Sequence, residues 1–293
     1  MALKKVLNSL KKDGYIVKKL DYYLMTKNES NDRAINVNSP SAVGTCLRAR
    51  YYTRTGIGTS ESFEARTLRI FDNGTGVHER LQKYLVDMGM LLLDEVPVHD
   101  YDYNIQGHTD GLIRLTPSEL GVLEIKSMND RNFTNLKDAE EKHKSQALVY
   151  LYCLEQRRQH LRDNYEELVY KEMREEYAER YQHMTDGSIH SRESKIEYQC
   201  SLCWKRDNLL FECTKPLNKC ILLYENKNNQ ELKEFTVLAT KEEHLDLITT
   251  ALEDFDTINQ AVESGEIPPR GGRVKSDPYC RWCPYRTSEC WVL

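Results

Sequence analysis

The chain has 293 residues, 40% hydrophobic and 30% charged, with a net charge of −5. That length suffices for one large domain or two modest ones and builds a core without disulfide or metal staples. No apolar run approaches the roughly 18 residues of a membrane-crossing helix, and the acidic balance weighs against a wholly basic nucleic-acid binder, leaving local basic patches as the route to such a partner.

In chain order, residues 1–12 predict a short basic amphipathic helix. This N-terminus lacks the apolar stretch of about 7–15 residues that marks a secretory signal, so a cytoplasmic protein with no membrane partner is expected. Thiols stay reduced there, and the nine cysteines point to metal binding or burial rather than disulfides. Residues 25–39 read as a polar loop. Ser39-Pro40 predicts a helix start, a capping hydroxyl followed by proline at the first helical position. That helix carries Cys46 and ends at Gly56 and Gly58. A second helix is expected over about 61–88, interrupted near Asn73-Gly74, with Val77, Leu81, Tyr84, Leu85 and Met88 on one face.

The period then changes to that of strands, over 91–98, 101–106, 109–115 and 121–127. The turn chemistry of TPSEL joins the last two into a hairpin. A long helix is expected over about 134–158, followed by a charged helical stretch to about 195 that reads as an insertion. Strands at 220–226 and EFTVLA and a helix over about 241–263 complete the pattern. The tail, GEIPPRGG onward, ends in CRWCPYRTSEC. Two basic segments stand near cysteines: CLRARYYTR, with Arg48, Arg50 and Arg54, and PRGGRVK, with Arg270, Arg273 and Lys275.

The stretch GHTDGLIRLTPSELGVLEIKS carries the chemistry. Glu124 and Lys126 are two apart on a strand and share a face, while Ile125 points into the core. Hairpin pairing brings Asp110 beside Glu124. Two carboxylates and a lysine then share a pocket. Hard oxygen ligands of this kind suit Mg²⁺ or Mn²⁺, and a cation, an oriented water and a positive charge are what phosphodiester hydrolysis requires. The bland alternative is a solvated charged hairpin. His78 lies upstream on a helix, and Gln146 and Tyr150 lie downstream, one turn apart on one helical face.

Together these motifs resemble the RecB-like exonuclease branch of the PD-(D/E)XK nuclease superfamily. GTGVH (Gly74 to His78), GHTD (Gly107 to Asp110), EIK (Glu124 to Lys126) and QALVY (Gln146 to Tyr150) stand in the family order. The resemblance implies an α/β, restriction-endonuclease-like core with a mixed central sheet flanked by helices. It implies His78, Asp110, Glu124 and the Ile125 carbonyl as metal ligands and Lys126 as the group that positions or activates water. Gln146 and Tyr150 would organise the site and touch DNA. The expected organisation is an N-terminal segment (1–38), a nuclease core (39–154 and 218–293) and a cysteine-bearing helical insertion (155–217). The implied activity is DNA exonuclease action giving 5′-phosphate and 3′-hydroxyl ends, with endonuclease action open. Single strands or free ends are the implied substrate, and recombination, replication or repair in a bacterial or phage-infected cell the implied setting. An oligomer and a helicase or recombination partner are implied too. Arg48, Arg50, Arg270, Arg273 and Lys275 are candidate backbone contacts.

Some relatives in this branch, among them phage exonucleases and CRISPR adaptation nucleases, also carry a [4Fe–4S] cluster on one cysteine before the nuclease motifs and three after. Cys46, Cys280, Cys283 and Cys290 match that split, an iron–sulfur clasp joining the N- and C-terminal regions. Zinc on the two C-x-x-C pairs, Cys200–Cys203 and Cys280–Cys283, competes with this assignment. A separate Zn²⁺ on Cys200, Cys203, Cys213 and Cys220 is compatible with it, and so are free or buried thiols there. Cys153 reads as helix packing. The functional rivals are a catalytically inactive DNA-binding scaffold on the same fold and a zinc-dependent interaction module.

Overall fold

A computed structural model of the chain describes residues 14–29, 36–57, 63–117, 119–163, 217–271, 273–281 and 283–291. They form two compact units. One takes the residues up to Val37, Thr45–Glu79 and those from Gln260 onward, and the other takes Asn38–Gly44 and Arg80–Asn259. Among the described residues no helix is long and apolar enough to cross a membrane.

The first unit is helical. Helix α1 (Tyr15–Glu29) extends into the stretch expected as a loop, because its lysines, leucines and methionine are good helix formers. Arg69, on the later helix α3 (Ala65–Asp87), pairs with Asp21 of α1. The single helix expected from Ser39-Pro40 is instead two pieces. Pro40–Ala42 makes one 3₁₀ turn, Gly44 takes φ 72°, and Cys46 becomes the N-cap of α2 (Leu47–Thr55), which Gly56 ends in the left-handed region. Helix α3 runs unbroken through Asn73-Gly74 and on into the second unit. A glycine costs a helix about 1 kcal/mol, and the buried Val77 and Leu81 further along offset it.

The chain's tail is fastened to α2 within this unit. Arg48 Nε donates to the Pro268 carbonyl (2.7 Å), Tyr51 Oη to that of Gly265 (3.3 Å), and Thr53 Oγ1 shares a hydrogen bond with Tyr285 Oη (2.9 Å). Tyr52 is only 1% exposed, with its ring 5.2 Å from that of Tyr285.

The second unit holds the mixed α/β sheet. Five strands, β1 (Leu91–Asp100), β2 (Ile105–Thr116), β3 (Glu119–Met128), β4 (Leu217–Asn226) and β5 (Leu232–Leu238), pair in sequence order. Every pairing is antiparallel except β3 with β4. The sheet is therefore mixed, and Pro97 is tolerated because β1 is an edge. The strands expected at 101–106 and 109–115 merge into β2, since the turn falls earlier, at Tyr101–Asn104, where Asp100 Oδ1 accepts from the Tyr103 amide (2.9 Å).

A parallel β3–β4 pair needs a long crossover, and α4 (Asp130–Asn135) and α5 (Glu141–Asp163) begin it. The helix expected over 134–158 is thus split. Asn129 caps α4 by accepting from the Asn132 amide (3.0 Å). Helix α5 buries Ala147, Leu148, Val149, Tyr150, Leu151, Cys153 and Leu154 in the core, which accounts for Cys153 as packing. The expected insertion, beyond the end of α5 at Asp163, lies outside the described residues up to residue 216. Helix α6 (Glu242–Ser264) follows β5, and its Phe255 joins the core. Asn38 ties the 38–44 segment to this unit, donating to the Tyr103 carbonyl (2.7 Å) and to Asn259 Oδ1 (3.0 Å).

Candidate active site

Strands β2 and β3 pair Gly111 with Leu123, so Asp110 faces Glu124 across the ladder. Asp110 is 9% exposed and Glu124 3%. Burying two facing carboxylates is costly unless charge and hydrogen bonds compensate. Lys126 Nζ reaches Glu124 Oε1 at 2.5 Å, and Gln146 Nε2 donates to the same oxygen at 2.9 Å. The Ile125 amide donates to Asp110 Oδ2 at 2.5 Å. Ile125 itself is fully buried, so the alternation expected from the sequence places acid and lysine on one face and the aliphatic side chain on the other.

Gln146 also donates to Tyr150 Oη (3.0 Å), which links the helix α5 pair to the strands. Burial, and next the charge of Glu124, push the Tyr150 phenol well up. It therefore stays protonated, with a proton to donate. The glycines of this strand pair are sites of close approach. A Cβ on Gly107 would meet Pro40 Cδ at 3.0 Å and Tyr150 at 3.6 Å. One on Gly111 would meet Leu91 Cδ1 at 2.5 Å and the Leu93 carbonyl oxygen at 2.9 Å. Thr109 is buried and donates to the Leu123 carbonyl (2.8 Å).

Four neighbours escaped the sequence reading. Gln82, on α3, donates to the Asp110 carbonyl (2.8 Å) and to Glu95 Oε1 (3.3 Å). Glu95 sits in β1 with φ 48°. His143, one turn before Gln146 on α5, bonds Tyr224 Oη through Nδ1 (2.9 Å). Burial, then the ammonium groups of Lys126 and Lys142, pull that imidazole down to about 4, so it is neutral at physiological pH. The i, i+3 spacing to Gln146 was the available signal for His143. Glu95, Gln82 and Tyr224 carried none. Beyond the site, Glu225 is buried and takes both its oxygens to Arg80 (2.7 Å each).

The facing carboxylates bring two negative charges against the single charge of Lys126. Hard oxygen donors with surplus negative charge fit Mg²⁺ or Mn²⁺. Among the described residues, no group of three or more His, Cys, Asp or Glu side chains is arranged to hold a metal ion. His78 is half-buried on the first-unit part of α3.

The cysteines and basic residues of the first unit are largely absorbed in packing. Cys280, on the short helix α7 (Pro278–Arg281), and Cys290 are buried, while Cys46 and Cys283 are half-buried. Burial first, and then negative charge that includes Cys46 and Cys290, pushes the Cys280 and Cys283 thiols up. Arg50 is a buried packing residue rather than a free backbone contact. Arg270 donates to the Cys290 carbonyl (2.5 Å) and stacks on Trp291, and Arg273 stacks on Tyr279. Lys275 is exposed. Of the four cysteines expected for a second zinc, Cys220 alone is among the described residues. It lies fully buried in β4, donating to the Ala147 carbonyl (3.2 Å), and burial pushes its thiol far up. It is a core thiol. Cys200, Cys203 and Cys213 lie outside the described residues.

The model of the PD-(D/E)XK nuclease superfamily matches residues 85–288, from the end of α3 to the cysteine tail. The chain belongs to the PD-(D/E)XK nuclease superfamily. Members of this superfamily generally use Mg²⁺ or Mn²⁺, in keeping with the donor set around Asp110 and Glu124. No curated protein matches the chain. Among solved structures, that of SSO0001 is 15% identical, with a TM-score of 0.44 over 93% of this chain and 95% of that one. An alkaline exonuclease (LHK-Exo) from Laribacter hongkongensis is 10% identical, with a TM-score of 0.37 over 84% of this chain and 96% of that one.

Proposed function

We propose that the chain is a divalent-metal-dependent DNA exonuclease that leaves 5′-phosphate and 3′-hydroxyl ends. The observation that carries this reading is the buried Asp110–Glu124 pair with Lys126 and Gln146 on one carboxylate oxygen. Asp110, Glu124 and the Ile125 carbonyl would hold Mg²⁺ or Mn²⁺. The bound cation supplies Lewis-acid polarisation of the phosphodiester and charge neutralisation at the leaving oxygen. Lys126 orients the attacking water and offsets negative charge as it develops. Gln146 holds Glu124 in place, and Tyr150 offers a phenolic proton to a phosphate oxygen. Arg48, Arg270, Arg273 and the exposed Lys275 are further candidate contacts for the DNA backbone. Single-stranded or free DNA ends, a role in recombination, replication or repair, an oligomer and a helicase or recombination partner complete the reading. Incubation with 5′- and 3′-labelled single and double strands and Mg²⁺ is expected to release 5′-phosphate products. Products bearing 3′-phosphates would rule the scheme out.

The cysteine clasp is part of the proposal. Cys46, Cys280, Cys283 and Cys290 fall in one unit. Four thiolates of this kind suit a [4Fe–4S] cluster. Protein purified without air is expected to be brown and to hold about four iron atoms per chain. Colourless protein with one equivalent of zinc would instead assign these thiols, or the C-x-x-C pairs, to Zn²⁺.

A further inference from the structure

His143 is used by none of the four motifs, yet two elements deliver it to the site. Strands β3 and β4 pair Lys126 with Tyr224, so the lysine and the phenol lie side by side on one face of the sheet. Helix α5 crosses that face. Gln146 bonds Glu124 from it (2.9 Å), and His143, three residues earlier, bonds Tyr224 (2.9 Å). Residues three apart on a helix are neighbours, so His143 and Gln146 come down together, one on each strand.

The hydrogen bonds around the phenol assign the tautomer of the ring. The Glu140 amide donates to Tyr224 Oη (3.2 Å). An amide N–H only donates, so it takes a lone pair and leaves the phenol's own proton for Nδ1 of His143. Tyr224 is fully buried, and burial pushes its phenol well up, so that proton is kept. The Glu140 carboxylate lies 3.9 Å from Nδ1. It is outweighed by burial and by the ammonium groups of Lys126 and Lys142, which keep the imidazole neutral. A neutral ring that accepts at Nδ1 carries its hydrogen on Nε2.

Nε2 has no partner among the described residues, and it is not sealed in the core, for the side chain is 15% exposed. Packing alone does not call for such a ring. Its contact with Tyr224, centroids 5.7 Å apart, is one that phenylalanine or leucine could also make, without the cost of burying most of an imidazole. What histidine adds is one N–H, fixed in direction, beside the lysine of the site. An uncharged donor there bonds an anion without repelling Lys126 or a cation on the facing carboxylates. The anion that a nuclease brings to this face is the DNA backbone.

We propose that His143 donates its Nε2–H to a phosphate oxygen of bound DNA, and that Tyr224 holds the ring in the tautomer this requires. The inference rests on the nuclease reading above and adds a substrate contact to it. It is tested on the full chain carrying isotope-labelled histidine. A fluorescent single strand of thymidine nucleotides is bound in EDTA, so that it is not cut, and followed by anisotropy. Nuclear magnetic resonance of the His143 nitrogens is expected to report the Nε2–H tautomer near neutral pH, and the Nε2 resonance to move when the strand binds. His143→Ala is expected to weaken binding about tenfold, the scale of a hydrogen bond to a charged acceptor. His143→Gln, whose amide N–H reaches about as far as Nε2–H, is expected to recover most of that loss, a rescue that a packing role would not give. Tyr224→Phe, which keeps the ring and removes the hydroxyl, is expected to mix the two tautomers.

A cationic or Nδ1–H ring, an Nε2 resonance indifferent to the strand, His143→Gln no better than His143→Ala, or unchanged affinity in His143→Ala each overturns the inference. So does an unaltered chain that binds no DNA. The nuclease reading is judged separately, by cleavage of labelled DNA with Mg²⁺ in the unaltered chain. Cleavage there with unchanged affinity in His143→Ala sinks only the role of His143. Weakened affinity in that variant, without cleavage by the unaltered chain under any divalent cation, supports the contact and sinks the nuclease.

Discussion

Lys126→Ala is expected to lower the rate of phosphodiester hydrolysis by about 10³-fold, the scale of losing one preorganised charge at a developing oxyanion. The ammonium lies at the rim of the site, with its side chain 21% exposed, and touches Glu124 at 2.5 Å. Its removal leaves Glu124 bonded to Gln146 but takes away the positive charge that offsets the two buried carboxylates, so the melting temperature should fall as well. Metal affinity should hold or rise, because a competing positive charge is gone. The loss therefore belongs in kcat under saturating Mg²⁺ rather than in metal binding, and single-turnover digestion separates the two. Lys126→Arg should not restore the rate. A planar guanidinium fork cannot occupy the place of a compact ammonium two residues from a buried carboxylate. Retention of activity within about threefold in Lys126→Ala would remove Lys126 from the chemistry.

Gly111→Ala is expected to destabilise the protein by about 2–3 kcal/mol, the upper part of the overpacking range. The new methyl would meet Leu91 Cδ1 at 2.5 Å and the Leu93 carbonyl oxygen at 2.9 Å. A leucine methyl can swing aside. A ladder carbonyl cannot move without disturbing the β1–β2 pairing. Because Gly111 adjoins Asp110, the same shift should also lower activity. At about 2–4 °C per kcal/mol for a domain of this order, the melting temperature should fall by about 4–12 °C. Gly76→Ala is the matched control. Gly76 lies in helix α3 with nothing within 4 Å of an added Cβ, so alanine there should stabilise by about 0.5–1 kcal/mol. Urea denaturation of both variants checks the pair, and equal midpoints would show that the close approach at Gly111 costs nothing.

Much of the candidate site was legible because its motifs are local. Glu124 and Lys126 share a face by the two-residue period of a strand, and Gln146 and Tyr150 by the turn of a helix. TPSEL announced the hairpin that sets Asp110 against Glu124. Element boundaries were less legible where one residue changes the outcome. Gly44 divides the expected first helix, and the turn at Tyr101–Asn104 joins two expected strands into β2. The fates of Arg50 and Cys220 were not local at all. Both residue types are plausible at a functional surface, and only packing decides that one is buried beside α2's tyrosines and the other sealed between β4 and α5.

By itself, then, the amino-acid sequence determined the α/β class, the strand pair bearing Asp110, Glu124 and Lys126, and the helix pair bearing Gln146 and Tyr150. The tertiary structure alone decided which β1 residue confronts Asp110. Asp94 and Glu95 are adjacent and equally acidic, so nothing in their order separates them. The register shift between Leu91 and Leu93 sets the alignment of β1 on β2, and a slip of one residue would exchange one carboxylate for the other. Such a register depends on pairing between strands distant in the chain, which is why no local pattern could announce Glu95.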